Sequence, residues 1–289
     1  MTRVFLTGAT GFLGEHVVRQ LVKASYKVSA LVRRSSQTGT LEKDGVRLYR
    51  GDLDFPVSML DGLRRADIFI NLASLGFGHT PSIVQAVEEA GIQRALFIST
   101  TSVFTRVATT SKVIRVAAER RIYESALDYT IIRPTMIYGT PRDRNIWRLI
   151  KYLDRWPVIP IVGSGRAIQQ PVFVDDLARA VVQAIEANGA IREEYNLAGP
   201  DALTFSGMVD TVCCVLNRRV RKIHIPIGLG LFGAYILERL GIKLAPEKIR
   251  RLGEDKGQDV GKTANELCYT PLSFEKGILR ETCFLRGTI

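Results

Sequence analysis

Residues that build metal modules and disulfide scaffolds are scarce here: four cysteines and three histidines in 289 residues. Cys213, Cys214, Cys268 and Cys283 fall at no metal-ligand spacing, so neither a metal site nor a disulfide framework is expected. The adjacent Cys213 and Cys214 sit in a helical pattern and read as core or half-buried positions rather than a redox pair. Long apolar runs are also missing. The longest, residues 225–237, is broken by Gly228, Gly230 and Gly233 and is short for a membrane span. No low-complexity tract or internal repeat occurs, and the chain enters a strand pattern at once, without a signal-peptide layout. A cytoplasmic globular chain in a reducing compartment is the expectation.

Basic residues outnumber acidic ones by 40 to 29, a formal net charge of +11. The excess is dispersed over Arg142 and Arg144, then Arg218, Arg219, Arg221 and Lys222, then Lys248, Arg250 and Arg251. No aromatic-interleaved basic stripe or recognition helix accompanies it, so specific nucleic-acid binding is not expected. A solvated basic surface is the plain account. Attraction of an anionic small-molecule substrate, such as a nucleotide-sugar, is the functional one.

What is present concentrates near the N-terminus. Arg3-Val4-Phe5-Leu6 reads as a strand, and Leu13, Val17, Val18, Leu21 and Val22 recur at helical spacing. Between them lies Thr7-Gly8-Ala9-Thr10-Gly11-Phe12-Leu13-Gly14. Gly8 permits a tight turn, Gly11 lets backbone approach a pyrophosphate, and Gly14 lets the helix pack closely on the strand. The helix N-terminus, with Thr10, Phe12 and Leu13 around Gly11, offers unsatisfied N–H groups to the phosphates. In this strand–turn–helix context the pattern predicts dinucleotide binding.

The second strand, Tyr26 to Val32, ends in Arg33-Arg34-Ser35 instead of the acidic residue that would accept from a ribose hydroxyl. A carboxylate there would repel a 2′-phosphate, whereas Arg33 can pair with it, so NADP is favoured over NAD. The alternative is a solvated basic loop.

With later motifs, these residues resemble the short-chain dehydrogenase/reductase superfamily, in its atypical and extended branch of NAD(P)-dependent epimerase/dehydratase-like proteins. Thr7–Gly14 matches that branch's TGxxGxxG, and Gly51-Asp52-Leu53 its aspartate–hydrophobic pair beside adenine. Asn71-Leu72-Ala73, followed by Ser74, matches the turn bordering the cofactor. Arg133-Pro134-Thr135-Met136-Ile137-Tyr138-Gly139 matches the RPxxxYG stretch near the nicotinamide. Val172-Phe173-Val174-Asp175-Asp176 resembles a substrate-lobe segment, and Leu267-Cys268-Tyr269-Thr270-Pro271 the closing LGYxP, with Cys268 replacing glycine. The resemblance implies a Rossmann-type doubly wound parallel α/β sheet over residues 1–140. Residues 141–289 would form mainly a smaller C-terminal substrate lobe, with some segments returning to the first domain.

The pattern along the chain agrees. Strands are expected at Val46–Arg50, Ile68–Leu72, Ala95–Ser99 and Tyr129–Arg133, with helices at Val57–Leu63, Ser82–Ala90 and Ser111–Ala126 between them. Such alternation implies a parallel sheet covered on both faces. Helices at Asn145–Leu153, Asp176–Ala187, Phe205–Leu216 and Leu229–Leu240 are expected in the smaller lobe.

The chemistry departs from the family. Its hydride-transfer sites use a Ser or Thr after the fifth strand and a Tyr-x-x-x-Lys on the next helix. Ser99-Thr100-Thr101 places Thr100 at the hydroxyl position, but no Tyr-x-x-x-Lys follows. Aligning on Lys112 puts Ala108 at the Tyr position; aligning on Glu119 puts Ser111 and Arg115 at the two positions. Three substitutes present themselves, each with a plainer alternative. Tyr138 carries a phenol or packs near the cofactor; Lys112 is a lone base or an exposed helix-start lysine. His79 reaches the nicotinamide from a flexible turn or caps the next helix. His16 and His224 show no companions.

Two function classes stay open. The first is an NADP-dependent oxidoreductase, epimerase or dehydratase acting on a nucleotide-sugar or another small carbonyl compound, with Thr100 polarising the oxygen. The second is a non-catalytic NADP-binding redox sensor or accessory protein, which the missing Tyr favours. RPxxxYG and the substrate-lobe segments favour the enzyme.

Overall fold

Side chains alternate along the first strand, β1 (Arg3–Thr7): Val4 and Leu6 join one apolar cluster, Phe5 the other, and all three are fully buried. A strand covered on both faces needs a layer of helices on each side. The computed structural model describes residues 1–229, 251–285 and 287, and it supplies those layers. In chain order come α1 (Phe12–Lys23), β2 (Lys27–Val32), α2 (Gly39–Lys43), β3 (Arg47–Arg50), α3 (Leu60–Leu63) and β4 (Ile68–Asn71). Then follow α4 (Thr80–Glu89), β5 (Arg94–Ile98), α5 (Thr110–Tyr123), β6 (Asp128–Pro134), β7 (Ile137–Tyr138) and α6 (Ile146–Arg155). The second half adds β8 (Val158–Val162), β9 (Ile168–Gln169), β10 (Val172–Phe173), α7 (Val174–Glu186), β11 (Glu193–Leu197) and β12 (Leu203–Thr204). Last come α8 (Phe205–Leu216), β13 (Arg221–Ile225), α9 (Gly261–Leu267) and α10 (Phe274–Thr282).

Seven parallel strands form one sheet in the order β11-β6-β5-β4-β1-β2-β3. This is the Rossmann-type fold. The order reverses between β1 and β4, and sheets of this kind bind ligands in the crevice outside the carboxyl ends of the strands at such a point. Thr7 and Asn71 lock that junction in register: Thr7 Oγ1 meets Asn71 Oδ1 at 2.6 Å, and Leu72 N–H donates to the Thr7 carbonyl at 3.1 Å.

Two expectations are corrected by packing. The helix anticipated at Asp176–Ala187 does not belong to the smaller lobe. As α7 it lies against α1 and buries Leu177, Val181 and Ile185 in the cluster that covers the central sheet. The helix after Ser111 stops at Tyr123, three residues early, and the buried Ser125 hydroxyl donates back to the Ile122 carbonyl at 2.6 Å. β11 is a seventh strand that the hydropathy pattern did not mark, because two glutamates open it. The helix expected at 229–240 lies, beyond Leu229, outside the described residues.

A third apolar cluster forms the smaller lobe, where α6, α8 and α10 pack around Tyr138, Phe173, Phe274 and Met208. Cys213 is buried there and Cys214 exposed. Among the described residues no helix is long and apolar enough to cross a membrane.

Candidate functional site

The glycine turn between β1 and α1 has a separate steric reason at each glycine. Gly8 has φ +73°, and a Cβ there would meet Ala73 N and the Leu72 carbonyl carbon at 2.7 Å. Gly14 would place a Cβ 2.2 Å from the Gly8 carbonyl oxygen, so helix and turn touch through it. Gly11 is different: it is exposed, and its Cβ would meet only the Gly8 oxygen, at 3.0 Å. Its open side faces solvent, and no side chain caps α1 there. The first-turn N–H groups are therefore available to an anion. A cradle that a Cβ at Gly11 would enter, backed by free N–H groups, fits a dinucleotide pyrophosphate. Leu13 is buried in the core and Phe12 packs on it beside His16, so both offer the site backbone rather than side chain.

At the outer end of the crevice, Arg33, Arg34 and Ser35 are exposed beyond β2. Arg50 Nη1 donates to the Arg33 carbonyl at 3.4 Å, which brings to this end a further cation that sequence reasoning missed. Asp52 is half-buried; its N–H donates to Ser58 Oγ at 3.1 Å and its Oδ1 accepts from the Asp54 N–H at 3.2 Å. Leu53 packs on the Phe5 face of the core. Across the crevice, Leu72 and Ala73 are half-buried, and exposed Ser74 accepts from the Gly76 N–H at 3.2 Å.

Beyond the ends of β5 and β6 lies a cleft of about 630 Å³. Thr100, Thr101, Ser102 and Thr135 line it with hydroxyls, Met136 with apolar surface, and Arg106, Arg251 and Lys256 with positive charge. Thr100 Oγ1 accepts from the Ser102 N–H at 3.3 Å, which leaves its own proton free to donate. Buried Pro134 offers its carbonyl to Thr101 Oγ1 at 3.4 Å, and Ile137 turns into the core. Thr135 is anchored by its N–H to the Leu197 carbonyl (2.9 Å) and by Oγ1 to the Gln170 carbonyl (2.5 Å).

Residues 251–258 form a wall of this cleft that sequence reasoning did not find. Glu254 accepts from Thr105 Oγ1 at 2.5 Å and from the Arg106 N–H at 2.8 Å. Asp255 accepts from the Ile168 N–H at 2.7 Å, and Lys256 Nζ donates to Gln169 Oε1 at 3.1 Å. Burial, then the positive charge of Arg251, lowers the Lys256 ammonium below the usual lysine value. The one local signal was the dense run of mixed charge from Arg250 to Lys256.

The proposed acid/base substitutes do not reach this cleft. Tyr138 is fully buried between Phe173 and Phe274, and its hydroxyl donates to the Phe274 carbonyl at 3.5 Å. Burial, then the charges of Glu281, Asp176 and Asp201, push its phenol far above the ordinary tyrosine value. Tyr138 is a packing residue, and the catalytic expectation for it is corrected. Lys112 Nζ donates to the Thr105 carbonyl at 2.6 Å and does not line the cleft. His79 sits 3.5 Å from Asp54 and makes no side-chain cap to α4. His16, for which the sequence showed no companion, meets Asp175 Oδ1 at 2.5 Å. In the register set by Glu119, Arg115 bridges Ser102 Oγ (3.3 Å) and Ser111 Oγ (3.2 Å) on the cleft wall.

Known proteins resemble the chain along most of its length. It is 28% identical over 245 residues to subunit 9 of the NADH dehydrogenase 1 alpha subcomplex from Arabidopsis thaliana mitochondria, covering 76% of this chain and 59% of the relative. It is 28% identical over 234 residues to a ceramide reductase of Caulobacter vibrioides, covering 77% and 73%. The chain thus spans about three-fifths and three-quarters of these two relatives. The structure of UDP-glucuronic acid 4-epimerase from Bacillus cereus, in complex with UDP-glucuronic acid and NAD, superposes with a TM-score of 0.78 at 19% identity, covering 100% of both chains. That likeness is one of fold. The family model described as NAD(P)H-binding matches residues 8–155, half of the chain, and includes Gly8, Gly11 and Gly14 and the strands β2 to β6 of the sheet, starting just after β1. The chain therefore belongs to the NAD(P)H-binding family, within the short-chain dehydrogenase/reductase type of fold.

Proposed function

We propose that this protein is an NADP(H)-dependent oxidoreductase or epimerase-like enzyme acting on an anionic carbonyl compound of nucleotide-sugar type. The observation that carries the reading is the cleft itself. It lies beyond the ends of β5 and β6, where the family resemblance puts the nicotinamide, encloses about 630 Å³, and combines hydroxyls with Arg106, Arg251 and Lys256 and with the carboxylates of Glu254 and Asp255. Its cations outnumber the carboxylates Glu254 and Asp255 by one, and an excess of one sign of charge concentrates ligands of the other sign. Arg33, Arg34 and Arg50 offer cations to a 2′-phosphate at the opposite end, which supports NADP over NAD. When bound, the nicotinamide supplies or accepts hydride. The chain's own contribution is Thr100, whose free hydroxyl proton is placed to donate to a carbonyl oxygen as charge grows on it. The reductase and epimerase among the relatives agree with this reading.

A second reading, a non-catalytic dinucleotide-binding protein, is favoured by one observation. Among the described residues lining the cleft there is no tyrosine or histidine. The NADH dehydrogenase subunit among the relatives agrees with that alternative.

The test is NADPH oxidation under single-turnover conditions with a panel of 4-keto and uronic-acid nucleotide-sugars, for the wild type and Thr100→Val. Turnover should fall by about 10²–10³-fold in the variant with NADPH affinity retained, the cost of losing one oxyanion donor. Wild-type protein that binds NADPH tightly yet oxidises it with no member of the panel would select the second reading.

A further inference from the structure

Arg142 stands in the turn between β7 and α6, and its side chain reaches 132 residues back to the glycine turn. Its Nη2 donates to the Thr10 carbonyl at 3.0 Å, and its Nη1 pairs with the Glu15 carboxylate in the first turn of α1. The backbone that presents it is firmly held. Asp143, the next residue, accepts from the N–H groups of Asn145 (2.6 Å), Ile146 (2.8 Å) and Trp147 (3.0 Å), and Thr140 Oγ1 accepts from the Arg142 N–H at 3.3 Å. The guanidinium is half exposed, and two of its five N–H donors are committed.

We propose that Arg142 is a ligand of the dinucleotide pyrophosphate, held beside the glycine turn by Thr10 and Glu15 until the phosphates arrive. The proposal rests on the dinucleotide reading above. A bare helix N-terminus supplies N–H groups from one side of an anion. Here a fixed cation flanks the same turn from the smaller lobe and has donors to spare. Glu15 strengthens the argument, because a carboxylate in the first turn of α1 lies where it repels a phosphate. Arg142 cancels that charge and adds directed donors. A surface pair serving stability alone contributes little and has no need to touch the turn's own carbonyl. The contact also ties the smaller lobe to the cofactor turn, so the residues that follow β7 are placed by the same interaction.

Equilibrium titration of the full chain with NADPH tests this, with adenosine 2′-phosphate as a probe that lacks the pyrophosphate. Arg142→Gln should weaken NADPH binding about 10- to 100-fold, as expected for loss of a charge-assisted contact. Its affinity for adenosine 2′-phosphate should stay within about twofold of wild type, and its melting temperature should hold. Arg142→Lys should recover part of the loss, since charge returns without the planar fork. Equal NADPH affinity in wild type and Arg142→Gln overturns the proposal and leaves the dinucleotide reading intact. Full recovery of affinity in the double variant Glu15→Gln/Arg142→Gln also overturns it, by showing that Arg142 only neutralises Glu15. Wild-type protein that binds no dinucleotide overturns both.

Discussion

Arg133 and Glu119 close a bidentate ion pair inside the protein, Nε to Oε1 at 2.9 Å and Nη2 to Oε2 at 2.8 Å, which ties β6 to α5 beside the cleft. Tyr123 and Glu194 each meet Arg133 Nη2 at 2.6 Å, and its guanidinium lies 5.2 Å from the ring of Phe104 on the cleft wall. The arginine that opens RPxxxYG is thus a brace under the site. Removing it strands a buried carboxylate. Arg133→Met should cost about 3–5 kcal/mol in urea unfolding, whereas Arg133→Met combined with Glu119→Leu should cost clearly less, because the carboxylate left behind, Glu194, is half exposed rather than buried.

Tyr138→Phe separates packing from chemistry. A buried hydroxyl with a single 3.5 Å contact contributes little, so stability should change by no more than about 1 kcal/mol. On any substrate found, turnover should stay near the wild-type value. A general acid would instead show a loss of about 10²–10⁴-fold, and such a loss would place the phenol in the site after all.

Glu281 on α10 is wholly buried. Burial, then the neighbouring Asp143 carboxylate, pushes its carboxyl up to about 10, although neither oxygen closes a well-directed hydrogen bond. The folded protein therefore keeps a proton that the unfolded chain releases near the ordinary glutamate value. Stability from this group is present at low pH and is lost as pH rises through the folded value of about 10. Glu281→Gln holds a neutral group at every pH. Its melting temperature should decline less than that of the wild type from about pH 5 to about pH 9, read by circular dichroism.

Cofactor choice can be inverted at one position. Wild-type protein should bind NADP(H) more tightly than NAD(H), and Arg33→Asp should reverse the order, because a carboxylate repels the 2′-phosphate and accepts from the free ribose hydroxyl. Calorimetric titration with both cofactors measures this. Equal affinities in the wild type would make Arg33 part of a solvated loop.

Asp175 gives an acid-side counterpart. The hydrogen bond from His16 lowers its carboxyl below the usual aspartate value, against the opposing effect of burial. That contribution is present above the unfolded aspartate value and disappears as pH falls through the lower folded one. Asp175→Asn should therefore lower stability at neutral pH, and the gap to wild type should close in strong acid, as chemical denaturation at each pH would show.

What the sequence determined by itself is local. Gly11 and Gly14 act through the Gly8 and Ala9 carbonyls a few residues away, so spacing alone made the turn legible, whereas the close approach of Gly8 to Leu72 and Ala73 depends on the pairing of β1 with β4. A short continuous apolar run marked β1, and an apolar period of about 3.6 marked α1, in the same way. The missing phenol was equally visible as an absence after Thr100. Hydropathy could not distinguish a Tyr138 in the crevice from one sealed between Phe173 and Phe274, because both positions suit an aromatic ring. Nor could it assign α7 to the central sheet, since an amphipathic helix has the same period against either core. The contacts that complete the site join distant residues: Arg142 to Thr10 across 132 positions, Glu254 to Thr105 across 149, and His16 to Asp175 across 159. Polar pairs of that kind leave no periodic trace along the chain. They exist only once the sheet order and the packing of the smaller lobe have brought their backbones together, and so tertiary structure alone decided them.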